Sequence, residues 1–129
     1  MIPEGLKYTK EHEWIEVKGN RARLGITHYA QDELGDIVFV DLPKAGGLVR
    51  AGQTVSEVES TKTTSSIYSP VSGSIVAVNE PLRTQPEIIN QDPYGQGWIV
   101  EIELSNPKEP DGLMNAKGYE AYLKSLEGK

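Results

Sequence analysis

Short segments of alternating polarity, each closed by glycine or proline, most restrict the folds open to this chain. Thirteen glycines and eight prolines are spread through 129 residues, which leaves little room for long helices and much for turns. Glu13, Ile15 and Val17 share one side of a first strand that ends at Lys18. Gly19-Asn20 is a two-residue hairpin signal. Ala22, Leu24 and Ile26 then alternate with Arg21, Arg23 and Gly25 in the return strand. Thr27 is placed to cap a short helix over His28–Leu34, with Gly35 as its stop.

Further strands follow. Asp36–Leu42 reads as a buried strand ended by Pro43. Thr54–Glu59 and Ile67–Tyr68 flank the polar run from Ser60 to Ser66, and Ser74–Asn79 follows the turn at Gly73. Residues 80–96, with Pro81, Pro86, Pro93 and Gly95, read as a long surface connection. In Gly97–Leu104, Trp98, Val100, Ile102 and Leu104 face one way, with Glu101 and Glu103 opposite. Pro110 and Gly112 predict irregular chain over 107–114. Tyr119, Tyr122, Leu123 and Leu126 fall at helical spacing, which predicts a C-terminal helix over about 115–127 packed on the sheet. The expected fold is mostly β: one domain over 1–129, a sandwich or flattened barrel with short peripheral helices.

Composition narrows the chemistry. The chain has no cysteine and two histidines, so disulfide frameworks, thiolate nucleophiles and multi-histidine metal centres are excluded. A net charge of −6 and an isoelectric point near 4.9 disfavour nucleic acid and anionic membrane as partners. Apolar runs such as Ile37–Val40 and Ile75–Val78 are only four residues long, far short of a membrane span. A soluble, cytoplasmic protein is expected.

Enzyme motifs are equally sparse. His12-Glu13-Trp14-Ile15-Glu16 begins like a zinc-protease helix motif, but Glu16 replaces the second histidine and the segment alternates like a strand. Gly95-Gln96-Gly97 precedes a strand, not a helix, and no phosphate-loop or nucleophile-elbow sequence occurs.

One residue stands apart. Lys62 is the only non-hydroxyl residue from Ser60 to Ser66, between two strands. A hairpin tip would hold its amine clear of the body, where another protein's active site can close around it. Neighbouring hydroxyls can satisfy exposed backbone groups without covering the amine. Glu59, three residues earlier, offers a carboxylate on the approach. A Schiff-base role for Lys62 would require burial or a neighbouring cation, and this context supplies neither.

Val58-Glu59-Ser60-Thr61-Lys62-Thr63, followed by Tyr68-Ser69-Pro70-Val71-Ser72-Gly73, resembles the attachment hairpin of lipoyl and biotinyl carrier domains. Tyr8–Trp14, Gly25-Ile26-Thr27, Tyr29-Ala30-Gln31, Leu34–Val40 and Asn90–Trp98 narrow the resemblance to the H-protein family of the glycine cleavage system, from about residue 6 to residue 104. Trp14, Phe39 and Trp98 are expected as core or half-buried packing residues, and Asp92–Gly95 as a turn. Biotin carriers usually flank their lysine with methionine, whereas Thr61 and Thr63 stand here.

The resemblance implies a barrel-sandwich hybrid of the lipoyl-domain type, with lipoate joined to Lys62 through an amide. The sulfurs would then be the cofactor's, which reconciles a cysteine-free chain with a redox cycle. It implies a non-enzymatic carrier, monomeric as the default for a shuttle, serving glycine decarboxylase, aminomethyltransferase and dihydrolipoyl dehydrogenase, and modified by lipoate-attaching enzymes that recognise Glu59 as part of the motif. The loaded arm in that family folds into a surface cleft, and Glu13 matches a position associated with it; on its own it reads equally as a strand-edge glutamate. Two departures are Thr61, where valine is more usual, and Ser66, where aspartate is more usual.

Overall fold

The computed structural model describes residues 2–127, so the expected domain extends at Met1, Gly128 and Lys129 outside the described residues. Among the described residues nine strands occur in chain order: β1 (Lys7–Tyr8), β2 (Glu13–Lys18), β3 (Arg21–Ile26), β4 (Ile37–Asp41), β5 (Leu48–Val49), β6 (Thr54–Ser60), β7 (Thr64–Tyr68), β8 (Gly73–Val78) and β9 (Val100–Leu104). They form a six-stranded sheet ordered β1-β2-β3-β9-β8-β5 and a three-stranded sheet ordered β4-β6-β7. The two sheets do not close into a barrel, so of the two forms expected the sandwich is the one adopted.

Apolar side chains from both sheets meet in one core. Ile15, Leu24 and Ile26 of the larger sheet join Val58 and Ile67 of the smaller one, with Ile75 and Ile102 from β8 and β9. Each buried aliphatic side chain of this kind contributes about 1.5–3 kcal/mol. Val100, Ile102 and Leu104 are buried as their alternation predicts, while Glu103 is exposed.

The helices follow their local signals. α1 (His28–Leu34) starts where the Thr27 hydroxyl accepts a hydrogen bond from the Ala30 amide, and it stops at Gly35. Gly35 has φ of 83°, a conformation open to glycine at little cost. α3 (Ala116–Glu127) seats a second cluster of Leu6, Tyr8, Trp14, Ala116 and Tyr119. The Tyr8 and Tyr119 rings stack with centroids 4.8 Å apart. The Tyr119 hydroxyl lies 2.8 Å from both His12 Nδ1 and Thr27 Oγ1, which ties the C-terminal helix to the start of α1.

Two expectations are corrected. Residues 80–96 are not a bare surface connection: a 3-10 turn (Glu80–Arg83) and α2 (Ile88–Gln91) fold Leu82 and Ile89 completely out of solvent. Both segments are only four residues long, too short to show a period in the sequence. β4 is not a buried strand, because Val38 and Phe39 are 51% and 52% exposed. Its register against β6 shifts between Ile37 and Phe39. One extra residue in this edge strand keeps Ile37 and Val40 inside and turns both residues between them outward. β2 is covered on both faces at its start: Ile15 enters the main core and Trp14 the second cluster. The 107–114 stretch holds a 3-10 turn (Glu109–Gly112), whose Glu109 carboxylate accepts hydrogen bonds from the Ser72 amide and hydroxyl, and a single antiparallel bridge from Met114 to Tyr8.

Candidate functional site

β6 and β7 pair antiparallel up to Glu59 and Thr64, and Thr61, Lys62 and Thr63 make the turn between them. The apex is braced from within. The Ser60 amide donates to the Thr63 carbonyl at 2.8 Å, and the Ser60 hydroxyl accepts from the Lys62 and Thr63 amides at 3.1 Å each. Backbone donors that would otherwise compete for the lysine's surroundings are therefore satisfied by one serine. Thr61, Lys62 and Thr63 are all exposed.

The apex also rests on a shelf formed by the chain leaving α1. The Thr61 amide donates to the Asp36 carbonyl at 3.1 Å. The Lys62 stem lies over Gly35, where a Cβ would come 3.2 Å from Lys62 Cε. A second function thus falls to Gly35, that of leaving room for the lysine. Glu59 is exposed on β6 opposite Phe39 of β4. Among the described residues no ion pair joins it to Lys62.

Glu13 lies elsewhere. Its side chain is only 2% exposed, although it begins a strand. The Thr9 hydroxyl donates to its Oε1 at 2.8 Å and the Tyr68 amide to its Oε2 at 2.9 Å. Burial pushes its carboxyl up to about 7, against the pull of those two hydrogen bonds. It lines a cleft of about 420 Å³ with Thr9, Glu11, Tyr68, Pro70 and Leu113. Tyr68 ends β7 five residues beyond Thr63, about 16 Å along the strand at roughly 3.3 Å per residue. Lys62 and Glu13 therefore mark the two ends of one strand rather than a single centre.

His12, beside Glu13, adopts φ of 69°, uncommon for a residue with a side chain. Its backbone is held by bonds from its amide to the Thr9 carbonyl and from the Thr27 amide to its own carbonyl. Burial lowers its imidazole below the usual histidine range. Nothing in the alternation of β2 reveals this left-handed residue at its start.

A hydroxyl-braced hairpin that presents a solvated lysine from a two-sheet sandwich defines a carrier domain, one that lends an attachment point to catalysts elsewhere. No group of three metal-ligating side chains occurs among the described residues, nor a helix long and apolar enough to cross a membrane. The model of the glycine cleavage H-protein family matches residues 6–126, and the chain belongs to that family. It is 54% identical to the glycine cleavage system H protein of Symbiobacterium thermophilum over 123 residues, covering 95% of this chain and 96% of that one. It is 55% identical to the H protein of Coprothermobacter proteolyticus over 123 residues, covering 95% and 97%. The crystal structure of a glycine cleavage system H protein from Mycobacterium marinum superposes with a TM-score of 0.85 at 39% identity, covering 98% and 99%.

Proposed function

We propose that this chain is a single lipoyl-carrier domain of the glycine cleavage system, with lipoate joined by an amide to Lys62. The observation that carries the reading is the exposed, internally braced apex at Ser60–Thr63, in a chain whose family membership spans residues 6–126. The residues present fit the group. The amine is accessible, its stem has a smooth glycine surface to lie on, and acylation removes a positive charge that would be costly to desolvate inside a partner. A bound lipoyl group would supply the two sulfurs that this cysteine-free chain lacks.

The chain's own residues then divide the work. Ser60 holds the apex, Gly35 and Asp36 support it, and Glu59 gives an attaching enzyme a carboxylate to read beside the lysine. Glu13, at the far end of β7, offers a shielded carboxylate to an aminomethyl ammonium at the end of the arm. Ser66 stands half-buried on β7 between these two ends. Its hydroxyl brings no charge, so Glu13 acts there without the aspartate more usual in the family. The partners are glycine decarboxylase, aminomethyltransferase and dihydrolipoyl dehydrogenase. Val38 and Phe39, exposed beside β6 with Asp36, Asp41, Glu57 and Glu59 around them, give such enzymes an apolar spot with an acidic rim. A Schiff-base enzyme is not favoured, since Lys62 stands exposed at a turn rather than in a buried pocket.

Intact-mass measurement on the protein from its own host tests the reading, together with Lys62→Arg in a reconstituted glycine-decarboxylating system. A lipoyl mass increment on Lys62 and abolished turnover in the variant are expected. A biotinyl increment, a modification at another lysine, or full turnover by Lys62→Arg would overturn it.

A further inference from the structure

Asn90 is a polar side chain that the carrier chemistry does not use, yet it makes three hydrogen bonds to one short stretch of chain. From α2 its Oδ1 accepts from the Ile37 amide at 2.9 Å, and its Nδ2 donates to Gly35 O and Gln31 Oε1 at 2.9 Å each. The amide orientation is forced by its partners: a backbone N–H can only donate and a backbone carbonyl can only accept. Residues 35 and 37 are thus pinned on either side of Asp36. Asp36 supplies the carbonyl that receives Thr61, and Gly35 is the surface under the Lys62 stem.

This makes a continuous path from the proline-rich connection to the lysine. Asn90 holds Gly35 and Ile37, these fix the Asp36 carbonyl, and that carbonyl holds the amide next to Lys62. Gly35 cannot fix this shelf by itself, because its φ of 83° leaves it the most permissive residue in the segment. The Ser60 bonds stiffen the apex internally but do not orient it against the body. The Thr61–Asp36 bond does, and Asn90 clamps both of Asp36's neighbours from another element.

We propose that Asn90 is a positioning residue for Lys62: it fixes the Gly35–Ile37 shelf and thereby sets how the lysine is presented for acylation. The inference rests on the carrier reading above. In the step concerned, Lys62 Nζ attacks the carbonyl carbon of an acyl-adenylate, a C–N bond forms, the C–O bond to AMP breaks, and the amine loses its proton to solvent. The shelf contributes only placement, and misplacement of a reacting group by about 1 Å costs up to a hundredfold in rate.

The test uses the full unacylated chain, a lipoate-attaching ligase, lipoate and ATP. Attachment kinetics are compared for the unsubstituted protein, Asn90→Ala and Asn90→Asp, with Ile102→Val as a control that weakens the core far from the apex. Asn90→Asp keeps the size and the acceptor for Ile37 but turns both donors into an acceptor facing two oxygens. Amide hydrogen exchange at Thr61 and at Ile102 is followed in parallel. Both Asn90 variants should lose about ten- to a hundredfold in kcat/KM, and Thr61 should exchange faster while Ile102 does not. Attachment and Thr61 exchange both unchanged would overturn the proposal, as would an equal loss in Ile102→Val. If the unsubstituted chain takes no acyl group on Lys62, the carrier reading falls. Thr61 exchange then decides alone: quickened in the Asn90 variants it upholds the clamp, unchanged it overturns it.

Discussion

Replacing Glu13 with glutamine should change how stability depends on pH, in a direction opposite to the usual behaviour of carboxylates. A buried carboxyl whose folded-state value stands near 7, against 4.5 for the ordinary group, holds its proton more tightly folded than unfolded. Between those limits the native state binds more protons, so stability falls as pH rises, by up to about 1.4 kcal/mol per pH unit. Below pH 4.5 both states are protonated and the penalty vanishes; above pH 7 it is complete. A shift of this size corresponds to about 3 kcal/mol. Glutamine is neutral at every pH and keeps an acceptor for the Tyr68 amide, with the Thr9 hydroxyl free to reverse its bond to the other side. Urea unfolding from pH 4 to 8.5 should give two curves that separate through pH 5–7, with Glu13→Gln the more stable at pH 8. Parallel curves across that range would refute the argument, because they would mean that Glu13 is ionised in the fold at no cost. An ammonium seated in the cleft should restore the charge and flatten the difference, so the loaded and unloaded protein should differ in the same titration.

Removing the hydroxyl of Tyr119 by Tyr119→Phe deletes the bonds to His12 and Thr27 while keeping the ring stack on Tyr8. A loss of about 1–3 kcal/mol is expected by urea titration, with hydrogen exchange quickened first in α3. Gly25→Ala places a Cβ 2.7 Å from the Trp14 indole carbons; a cost of about 1–3 kcal/mol and an altered near-ultraviolet tryptophan dichroism should accompany it. In Trp14→Phe the indole N–H donated to the Pro93 carbonyl at 2.9 Å is lost. That variant should be destabilised and should loosen the 92–98 turn, measurable by amide exchange at Gly97.

Local signals carried most of the fold. Thr27, Gly35 and the α1 span follow from cap chemistry, the β2–β3 hairpin from Gly19-Asn20, and β9 from strict alternation. Features made by distant contacts were not legible. Leu82 and Ile89 are buried by short turns with no period of their own. Phe39 faces outward because a bulge in β4 turns it away from the core, which an unbroken apolar run cannot show. At the site, the isolated lysine among hydroxyls was readable because its neighbours in sequence are its neighbours in space. Asn90 was visible only as one letter of a resemblance, since its three partners lie more than fifty residues away. Glu13 had two readings from sequence. The alternation set it on the face of Ile15, which the core buries, but the Thr9 and Tyr68 donors that hold its carboxylate are not encoded in a strand pattern.

The bulge in β4 has a further effect on how copies of the molecule meet. An open strand edge with two greasy side chains is ordinarily an invitation to sheet-on-sheet growth. Here the extra residue throws the ladder out of step midway, and Asp36 and Asp41 cap the run at either end. A second chain laid alongside would lose its register and meet carboxylates, so strand addition along this edge is disfavoured while Val38 and Phe39 stay in view.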